Sequence, residues 1–533
     1  MRHWSHPLVL AAALMAPAPG EAADSGEEPR LAPAEFEAAR MHYFQHCAGC
    51  HGVLRRGATG RSLEPVAARK LGQEKLERII AQGTDGGMNG FDDTFTKDEI
   101  ARLATYVRMP VPVPPEMSLA DMKKTRRELV RPEDAPKAPQ HGRNWKNFFV
   151  TILRDAGKVA ILDGDRKDVV AEIDTGYAVH VAEGTSDGRY WFSIGRDGRL
   201  TKMDLWSDPP RIMAEVQVAY DARGIAVARF GTQKDRYLVA GGFWPPHFVI
   251  VDTETLEPLK VVSTSGMDVE GRFVREARVA ALAASPAGPT WMVAVKELGQ
   301  VWQVDYSDLR NLRIEMIDSA RFLHDGFFDP TERFFQVAAN ASNAMVFVDS
   351  QTRKLVGQLE TGRKPHPGPG ANWIDAQCGP VGATVHMGQG RISVWGNDPK
   401  GHPEMAWKLC YSLPLEGPGL FLRGHPNSPH VFADQALHPD VEVASGIKVL
   451  DTRRRQVVET LKVTAHPKGV ALHPEFNHDG SEVWISVWAK GRKAERQKGE
   501  VVVYDSATLK EKARIGGLET PTGKFNVSGR VTK

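Results

Sequence analysis

The chain contains 533 residues, more than one hydrophobic core usually organises, so two domains are expected unless a repeat extends one of them. Hydrophobic residues make up 41% of the chain and the mean hydropathy is -0.35, values typical of a soluble globular protein. The formal net charge is only +2, and lysines and arginines are spread along the chain, which argues against a nucleic-acid partner.

The first residues have the pattern of an export signal. Arg2 and His3 precede an apolar run from Leu8 to Met15, and small residues follow as far as Ala23. A transmembrane anchor needs roughly 20 apolar residues, so this run is too short to be one. The sequence therefore predicts a signal peptide over residues 1–23. The mature protein is expected in the periplasm and is expected to have no membrane span.

A C-x-x-C-H motif follows the first predicted helix. That helix is indicated by Pro33, a favoured first helical residue, and by an apolar stripe that begins at Phe36. It leads into Cys47, Cys50 and His51. This spacing allows two thiols to bind a porphyrin edge and the imidazole to bind its iron, although zinc sites and redox dithiols use related spacings. Combined with the export signal, the motif favours a covalently bound haem c.

An electron-carrying haem c needs a second axial ligand, usually Met or His. Met88 lies in a glycine-rich loop that allows the backbone to approach a ring, so it is the preferred candidate, although an ordinary loop methionine would have the same surroundings. Met109 is the alternative, at the end of a helix predicted to begin with the capping box from Thr96 to Glu99.

Residues 31–110 are predicted to form this small helical cytochrome c domain, and residues 111–144 a Pro-rich linker. After the linker the chain repeats one unit: a β-rich run that ends in Asp, a short turn, and another β-rich run. The Asp residues recur at intervals of roughly 40 to 55 residues, the blade spacing of a β-propeller. The residues are Asp163, Asp204, Asp252, Asp305, Asp349, Asp398, Asp451 and Asp505.

Each of these Asp side chains is expected to accept hydrogen bonds from the turn between the last two strands of a blade. A role as metal ligands is disfavoured, since one per blade would disperse them around the ring. The expected fold is multidomain α + all-β: the helical cytochrome c domain, then an eight-bladed β-propeller over residues 145–533. Eight blades would surround a wide central channel, and one mouth of it would be large enough for a tetrapyrrole-sized ligand.

Loops of the predicted propeller contain His180, His324 and His366, each near Gly or Pro. A single loop histidine is usually a solvated surface residue, but three at comparable positions of separate blades can converge on the channel mouth. Cys378 and Cys410 lie in no metal or redox motif. They are expected to be either buried small apolar residues or one disulfide.

Longer segments have a more specific pattern. They include "CAGCHGVLRRGATG", "IDTGYAVH", "FLHDG", "KPHPG" and "TPTGKFNV", in that order. From about Leu31 to Val527 the chain resembles the cytochrome cd1 nitrite reductases, in which a c-type cytochrome domain precedes an eight-bladed propeller that holds haem d1. The resemblance implies a covalent haem c on Cys47, Cys50 and His51, with Met88 as the sixth ligand of its iron.

The resemblance also implies a non-covalent haem d1 with His180 as the proximal ligand of its iron. His324 and His366 would line the distal face and give protons to bound nitrite. Guanidinium groups bind carboxylates bidentately, and the arginines expected near the d1 carboxylates are Arg154, Arg196 and Arg223.

The implied activity is one-electron reduction of nitrite to nitric oxide, with electrons from a small periplasmic cupredoxin or c-type cytochrome. The oligomeric state is left open, a homodimer being one option.

Some positions depart from the family pattern. Phe243, Pro369 and Ser528 stand where tyrosine, arginine and tyrosine are common, and the longer N-terminal arm that supplies a tyrosine is expected to be absent. These departures leave open a second function, the oxidation of dihydro-haem d1 to haem d1 during cofactor biosynthesis. A carrier of cofactor or electrons alone is the third hypothesis.

Overall fold

The structure is a computed structural model that describes residues 28–57, 60–84, 88–92, 94–466, 469–489 and 498–528. The predicted signal peptide over residues 1–23 lies outside these ranges. Within the described ranges, every helix is too short or too polar to cross a bilayer.

The N-terminal region is helical and has its own apolar core, which includes Ala39, Tyr43 and Ala104. The first helix begins at Pro33, as expected, and Thr96 and Glu99 form the capping box that starts the fifth. A π-helical turn over Tyr43–Cys47 and a short hairpin complete the region. Its elements are α1 Pro33–His42, α2 Ala48–His51, α3 Pro65–Leu71, α4 Gln73–Gln82, β1 Gly83–Thr84, β2 Met88–Asn89 and α5 Lys97–Arg108.

The segment after α5 lies on the propeller. It is extended as far as Ser118, which caps α6 Leu119–Thr125, and Met117 and Met122 are buried in a propeller core. The next strand, β3 Arg127–Glu128, pairs with a propeller strand as a fifth member of its blade. These contacts attach the Pro-rich segment to the propeller surface.

The described residues after this segment form eight four-stranded antiparallel blades. The strand runs are rich in β-branched and aromatic residues, and their apolar faces pack between blades around side chains such as Trp191, Trp291 and Trp484. The first four groups of strands, with one small hairpin, are β4 Phe148–Leu153, β5 Lys158–Asp163, β6 Val169–Asp174; β7 Val181–Gly184, β8 Tyr190–Ile194, β9 Arg199–Asp204, β10 Arg211–Gln217; β11 Asp221–Val227, β12 Tyr237–Trp244, β13 His247–Asp252, β14 Pro258–Ser263; β15 Gly266–Met267, β16 Phe273–Val274; and β17 Val279–Ala284, β18 Thr290–Val295, β19 Gln300–Asp305, β20 Arg313–Asp318.

The remaining blades follow the same order, and the first strands of neighbouring blades contact one another around the central channel. Their elements are β21 Leu323–Phe328, β22 Phe334–Ala339, β23 Ala344–Asp349, β24 Lys354–Glu360; β25 Pro365–Asp375, β26 Gly379–His386, β27 Arg391–Gly396, β28 Leu409–Pro414; β29 Leu422–Arg423, β30 His430–Asp434, α7 Val441–Ala444, β31 Gly446–Asp451, β32 Gln456–Lys462; β33 Gly469–Phe476, β34 Glu482–Ala489, β35 Gly499–Asp505, β36 Glu511–Leu518; and β37 Pro521–Asn526. Single 3-10 turns cover Pro132–Asp134, Trp145–Asn147, Gly231–Gln233 and Asn340–Ser342.

The ring closes by sharing one blade between the two ends of the propeller sequence. The last strand, β37, pairs with β4 and becomes the innermost strand of the blade that β4, β5 and β6 complete. The prediction of an eight-bladed propeller after a helical domain is confirmed.

The repeated Asp residues lie where the sequence places them, between the third and fourth strands of each blade. Asp163 Oδ1 accepts from the amides of Asp165 and Arg166 at 2.9 and 3.0 Å. The last marker, Asp505, accepts from the amide of Thr508 at 2.7 Å. The turn role is therefore confirmed.

The pair Cys378 and Cys410 forms a disulfide with the two Cα atoms 6.2 Å apart. Cys378 lies in the turn between β25 and β26, and Cys410 lies in β28 of the same blade. Of the two expectations for these cysteines, the structure selects the disulfide.

Candidate functional site

The C-x-x-C-H residues lie at the end of the first helical segment, with Cys47 and Cys50 as free thiols. His51 Nδ1 is 2.7 Å from the carbonyl oxygen of Arg61. Since a carbonyl only accepts, Nδ1 carries the proton and Nε2 keeps the lone pair that an iron ligand needs. Burial lowers the pKa of His51, which favours this neutral form. Gly60 packs against the ring so closely that an added Cβ would lie 2.8 Å from Cε1. The segment fits a covalent haem c.

The two methionine candidates have different surroundings. Met88 opens β2 and pairs with Thr84 across the β1–β2 hairpin, while residues 85–87 lie outside the described ranges. Met109 directly follows α5, and its carbonyl accepts a hydrogen bond from Arg55 Nη1 at 2.9 Å. Arg55 is fully buried, so the Met109 backbone is fixed to the helical core. Met88 stays the predicted sixth ligand.

His180 lies just before β7 and is half-buried at the channel. Arg223, from β11, approaches it with 2.5 Å between Arg223 Nε and His180 Nε2. A guanidinium only donates hydrogen bonds, so Nε2 of His180 is unprotonated. Burial, and then the charge of Arg223, lower the pKa of His180 well below its ordinary value. His180 is thus held as a neutral imidazole with its lone pair on Nε2, the form that binds iron.

His324 and His366 come together, as the sequence predicts, with ring centroids 4.8 Å apart. His324 lies in β21 and His366 in β25, the first strands of adjacent blades. Both strands have register shifts at these residues, and such bulges redirect side chains toward a site.

A carboxylate that the sequence reasoning missed joins the two rings. Asp325 Oδ1 is 2.8 Å from His324 Nδ1, and Asp325 Oδ2 is 3.2 Å from His366 Nε2. Although burial raises the pKa of Asp325, its interactions with His324 and His366 outweigh burial and hold that pKa well below its usual range. The only signal in the sequence was its place directly after His324 in "FLHDG".

His366 has an acceptor at each ring nitrogen. Its Nδ1 is 2.6 Å from the carbonyl oxygen of Leu420, and its Nε2 faces Asp325. The imidazolium form satisfies both contacts at once, because both nitrogens are then donors. Burial lowers the pKa of His324, which favours its neutral form. The cluster of His324, Asp325 and His366 can therefore hold one proton on His366 beside an ionised carboxylate.

Four basic side chains of the propeller form no ion pair with a carboxylate of the described residues. Two were predicted, and two, both lysines, were not. Burial lowers the pKa of Lys296 to about 8 and that of Lys524 to about 7. Lys524 Nζ donates to the carbonyl of His473 and the hydroxyl of Ser486, at 2.6 and 2.7 Å. The four are Arg154, Arg223, Lys296 and Lys524. Cations that are not directly paired with a protein carboxylate suit a ligand with several carboxylates.

Arg196, the third predicted arginine, is placed differently. Its Nε and Nη2 bind the two oxygens of Asp221 at 2.5 and 2.6 Å. Nη2 also lies 3.5 Å from the carbonyl of Phe44 in the helical domain. Its guanidinium is therefore already paired, at the boundary between the domains.

The three departures from the family pattern also have defined places. Phe243 is buried, with the guanidinium carbons of Arg196 and Arg278 5.5 and 5.3 Å from its ring centre. Pro369 lies within β25, and Ser528 Oγ donates to the carbonyl of Lys146 at 2.6 Å. A phenyl ring at position 243 provides no hydroxyl for a hydrogen bond.

A helical domain with a haem-attachment motif, followed by an eight-bladed propeller with a histidine-lined cationic channel, defines a two-haem protein. A family model described as Cytochrome D1 heme domain matches residues 143–530, and one described as Cytochrome C oxidase, cbb3-type, subunit III matches residues 34–107. The chain belongs to the cytochrome d1 heme domain family, and its cofactors are haem c and haem d1.

Curated relatives of two functions match nearly the whole chain. A nitrite reductase of Stutzerimonas stutzeri is 41% identical, with 95% of each chain covered. A dihydro-heme d1 dehydrogenase of Pseudomonas aeruginosa is 27% identical, with 92% of this chain and 93% of the relative covered. A solved structure of dihydro-heme d1 dehydrogenase NirN matches with a TM-score of 0.71 and 26% identity, covering 93% of this chain and all of that one.

Proposed function

We propose that this chain is a periplasmic enzyme of denitrification that reduces nitrite to nitric oxide. One electron and two protons convert each nitrite ion to nitric oxide and one water. The observation that carries the proposal is the near full-length identity of 41% to a nitrite reductase, in a chain whose channel brings His180 and the cluster of His324, Asp325 and His366 together.

Haem c would be held by Cys47, Cys50 and His51, with Met88 as the predicted further ligand of its iron. Haem d1 would be held in the propeller by His180. Haem c supplies the entry point for electrons, and haem d1 supplies the iron at which nitrite is reduced. Arg154 and Arg223 would bind carboxylates of haem d1, and His180 Nε2, which now accepts from Arg223, would be the nitrogen available to the iron.

Protons come from the distal cluster. His366 in its cationic form attracts the nitrite anion and gives up the Nε2 proton, while Asp325 keeps both rings in place. Neutral His324 donates Nδ1–H to Asp325, so its Nε2 carries a lone pair; that nitrogen takes up the second proton from solvent and passes it to nitrite. The channel lysines Lys296 and Lys524 add positive charge that favours entry of an anion.

Electrons come from a small periplasmic donor, a cupredoxin or a c-type cytochrome. The periplasmic location is supported by the export pattern over residues 1–23 and by the Cys378–Cys410 disulfide, a bond typical of oxidising compartments.

Dihydro-haem d1 oxidation is the second candidate. The structural match to NirN favours it and the departure at Phe243 leaves it open, but the 27% identity to a dehydrogenase is well below the 41% to a nitrite reductase. The reductase is therefore the better supported of the two functions.

Anaerobic turnover of the protein loaded with both haems tests the proposal. With a reduced cytochrome as donor, nitric oxide should form in a one-to-one ratio with the electrons consumed. A preparation that forms no nitric oxide but converts added dihydro-haem d1 to haem d1 would refute the reductase and support the dehydrogenase.

A further inference from the structure

A buried arginine of the propeller, Arg278, binds residues 47–54, which we call the haem c segment. Arg278 Nη1 lies 2.6 Å from the carbonyl oxygen of Gly49 and 3.1 Å from that of Ala48, the two residues between the haem-attaching cysteines. Its Nε and Nη2 bind Glu297 Oε1 at 2.8 and 2.5 Å. The side chain of Arg278 is only 1% exposed. Glu297 therefore orients the guanidinium so that its remaining donor points at the haem c segment.

A carboxylate two residues earlier binds the same segment from its other end. Glu276 Oε1 accepts from the amide of Val53 at 2.6 Å, and Oε2 accepts from the amide of Leu54 at 3.1 Å. Gly52 lies between His51 and these amides with φ of 82°, and a Cβ there would lie 2.9 Å from Glu276 Oε2. The glycine thus permits both the backbone conformation and the close carboxylate.

Glu276 and Arg278 together form what we call the clamp. Its hydrogen bonds to the haem c segment described above are all to backbone atoms, before and after His51. Its other side continues toward the channel: the amide of Lys296 donates to the carbonyl of Arg278 at 2.8 Å, and the amide of Phe322 donates to the carbonyl of Lys296 at 2.7 Å. Two residues after Phe322 is His324. One hydrogen-bonded set therefore joins the haem c segment to the strand that carries the distal histidine.

We infer that the clamp sets the position of haem c relative to the propeller channel and thereby the rate of electron transfer between the two haems. The tunnelling rate falls exponentially with the distance between redox centres, so a small displacement of the segment slows the step. Buried, charge-assisted hydrogen bonds resist such displacement more strongly than exposed ion pairs do. Glu276 and Arg278 are positioning residues, since neither is assigned contact with nitrite or either haem.

Amide exchange tests the positioning directly, in protein that contains haem c and lacks d1. Glu276→Gln keeps the shape but loses the charge and one of the two acceptors, so hydrogen exchange at Val53 and Leu54 should become about 10-fold faster, the factor for one such hydrogen bond. The matched control is Arg275→Gln, because Arg275 is an exposed neighbour that pairs with Glu116 at 3.1 Å. Exchange at Val53 and Leu54 should be unchanged in the control.

Electron transfer is then measured in the protein with both haems and without nitrite. After haem c is reduced by a light pulse, its oxidation by d1 should be about 10-fold slower in Glu276→Gln and Arg278→Lys, and normal in Arg275→Gln. Arg278→Lys keeps the charge but cannot bind Glu297 and the carbonyls together. If Arg278→Lys does not fold, the result for Glu276→Gln decides whether the inference holds. Unchanged transfer in Glu276→Gln, with or without faster exchange, overturns the inference. Because nitrite is absent, either result leaves the proposed reaction to its own test.

Discussion

Buried positive charges are paired with carboxylates next to the haem c segment, whereas in the propeller channel, among the described residues, they are not. At the domain boundary, Arg278 is neutralised by Glu297, and Arg196 by both oxygens of Asp221. In the channel, Lys524 Nζ donates to a carbonyl and a hydroxyl and forms no ion pair within the described ranges, although the charges of Glu475 and Asp434 partly offset its burial.

The difference separates a permanent interface from a binding site. Paired charges between the domains need no further ligand, whereas unpaired ones in the channel are costly until an anion arrives. The channel is therefore the part of the molecule prepared for an anionic cofactor and an anionic substrate.

The largest effect should follow the loss of the channel histidines. In the protein with both haems, His324→Ala and His366→Ala should each slow nitrite reduction by about 10² to 10⁴, the usual cost of a positioned proton donor. The double variant should be slower still, but less than additively, because the pair acts on one anion. Spectra should show both haems retained. A double variant that keeps the parental rate with d1 fully bound would place the proton donors elsewhere.

Removing the carboxylate between these histidines should have a smaller effect. Asp325→Asn keeps the shape but turns one acceptor into a donor, so at least one ring loses its fixed orientation. Nitrite reduction should slow by about 10- to 100-fold, the range for misplaced catalytic groups.

Asp451→Asn makes the same chemical change in a blade turn, and there the rate should stay normal. If the two variants reduced nitrite equally fast, Asp325 would have no special role in the channel.

Lys524, which has no paired carboxylate in the described part of the chain, should destabilise the protein that lacks d1. Burial lowers the pKa of Lys524 to about 7 from 10.5, so the folded state loses stability as the pH falls from 10.5 to 7. Lys524→Met removes this loss. The unfolding free energy of the variant, relative to that of the parent, should therefore be roughly 2–3 kcal/mol higher at pH 6 than at pH 9.

The matched control is Lys512→Met, because Lys512 is paired with Glu482 at 2.5 Å. Chemical denaturation at both pH values measures the effect. A gain that is independent of pH in Lys524→Met, or one equally large in Lys512→Met, would contradict the contrast between paired and unpaired cations.

The smallest effect is expected far from both sites. Asp451 Oδ1 accepts from the amides of Arg453 and Arg454, both at 2.9 Å, in an exposed blade turn. Asp451→Ala should lower the unfolding free energy by about 1 kcal/mol, the usual net value of such bonds, and leave both haems bound. Loss of d1 in this variant would mean that the turns shape the channel more than the structure suggests.

Most of the features that could be predicted from the sequence have a local pattern. The haem-attachment residues are nearly consecutive, and each Asp turn needs only its own blade, so spacing alone indicated both. Asp325 could not be assigned its role, because its link to His366 depends on the contact between β21 and β25. Lys524 and the clamp depend on ring closure and domain docking, which leave no local pattern.

The surroundings of Arg196 could not be predicted from its sequence neighbourhood. Its guanidinium binds Asp221 and approaches the helical domain, and its contact with the d1 carboxylates stays a prediction. Which loops face the channel and which face the other domain is decided by packing between distant segments. The Met88 ligand likewise stays a prediction, since residues 85–87 of its loop lie outside the described ranges.

The central claim is that haem c relays electrons and that nitrite is reduced only in the propeller channel. A single-turnover experiment tests it: protein with haem c alone and protein with both haems are reduced, then mixed with nitrite without oxygen. The account predicts rapid oxidation of haem c, together with nitric oxide formation, only when d1 is present. Equally rapid oxidation of haem c by nitrite in the protein without d1 would contradict it.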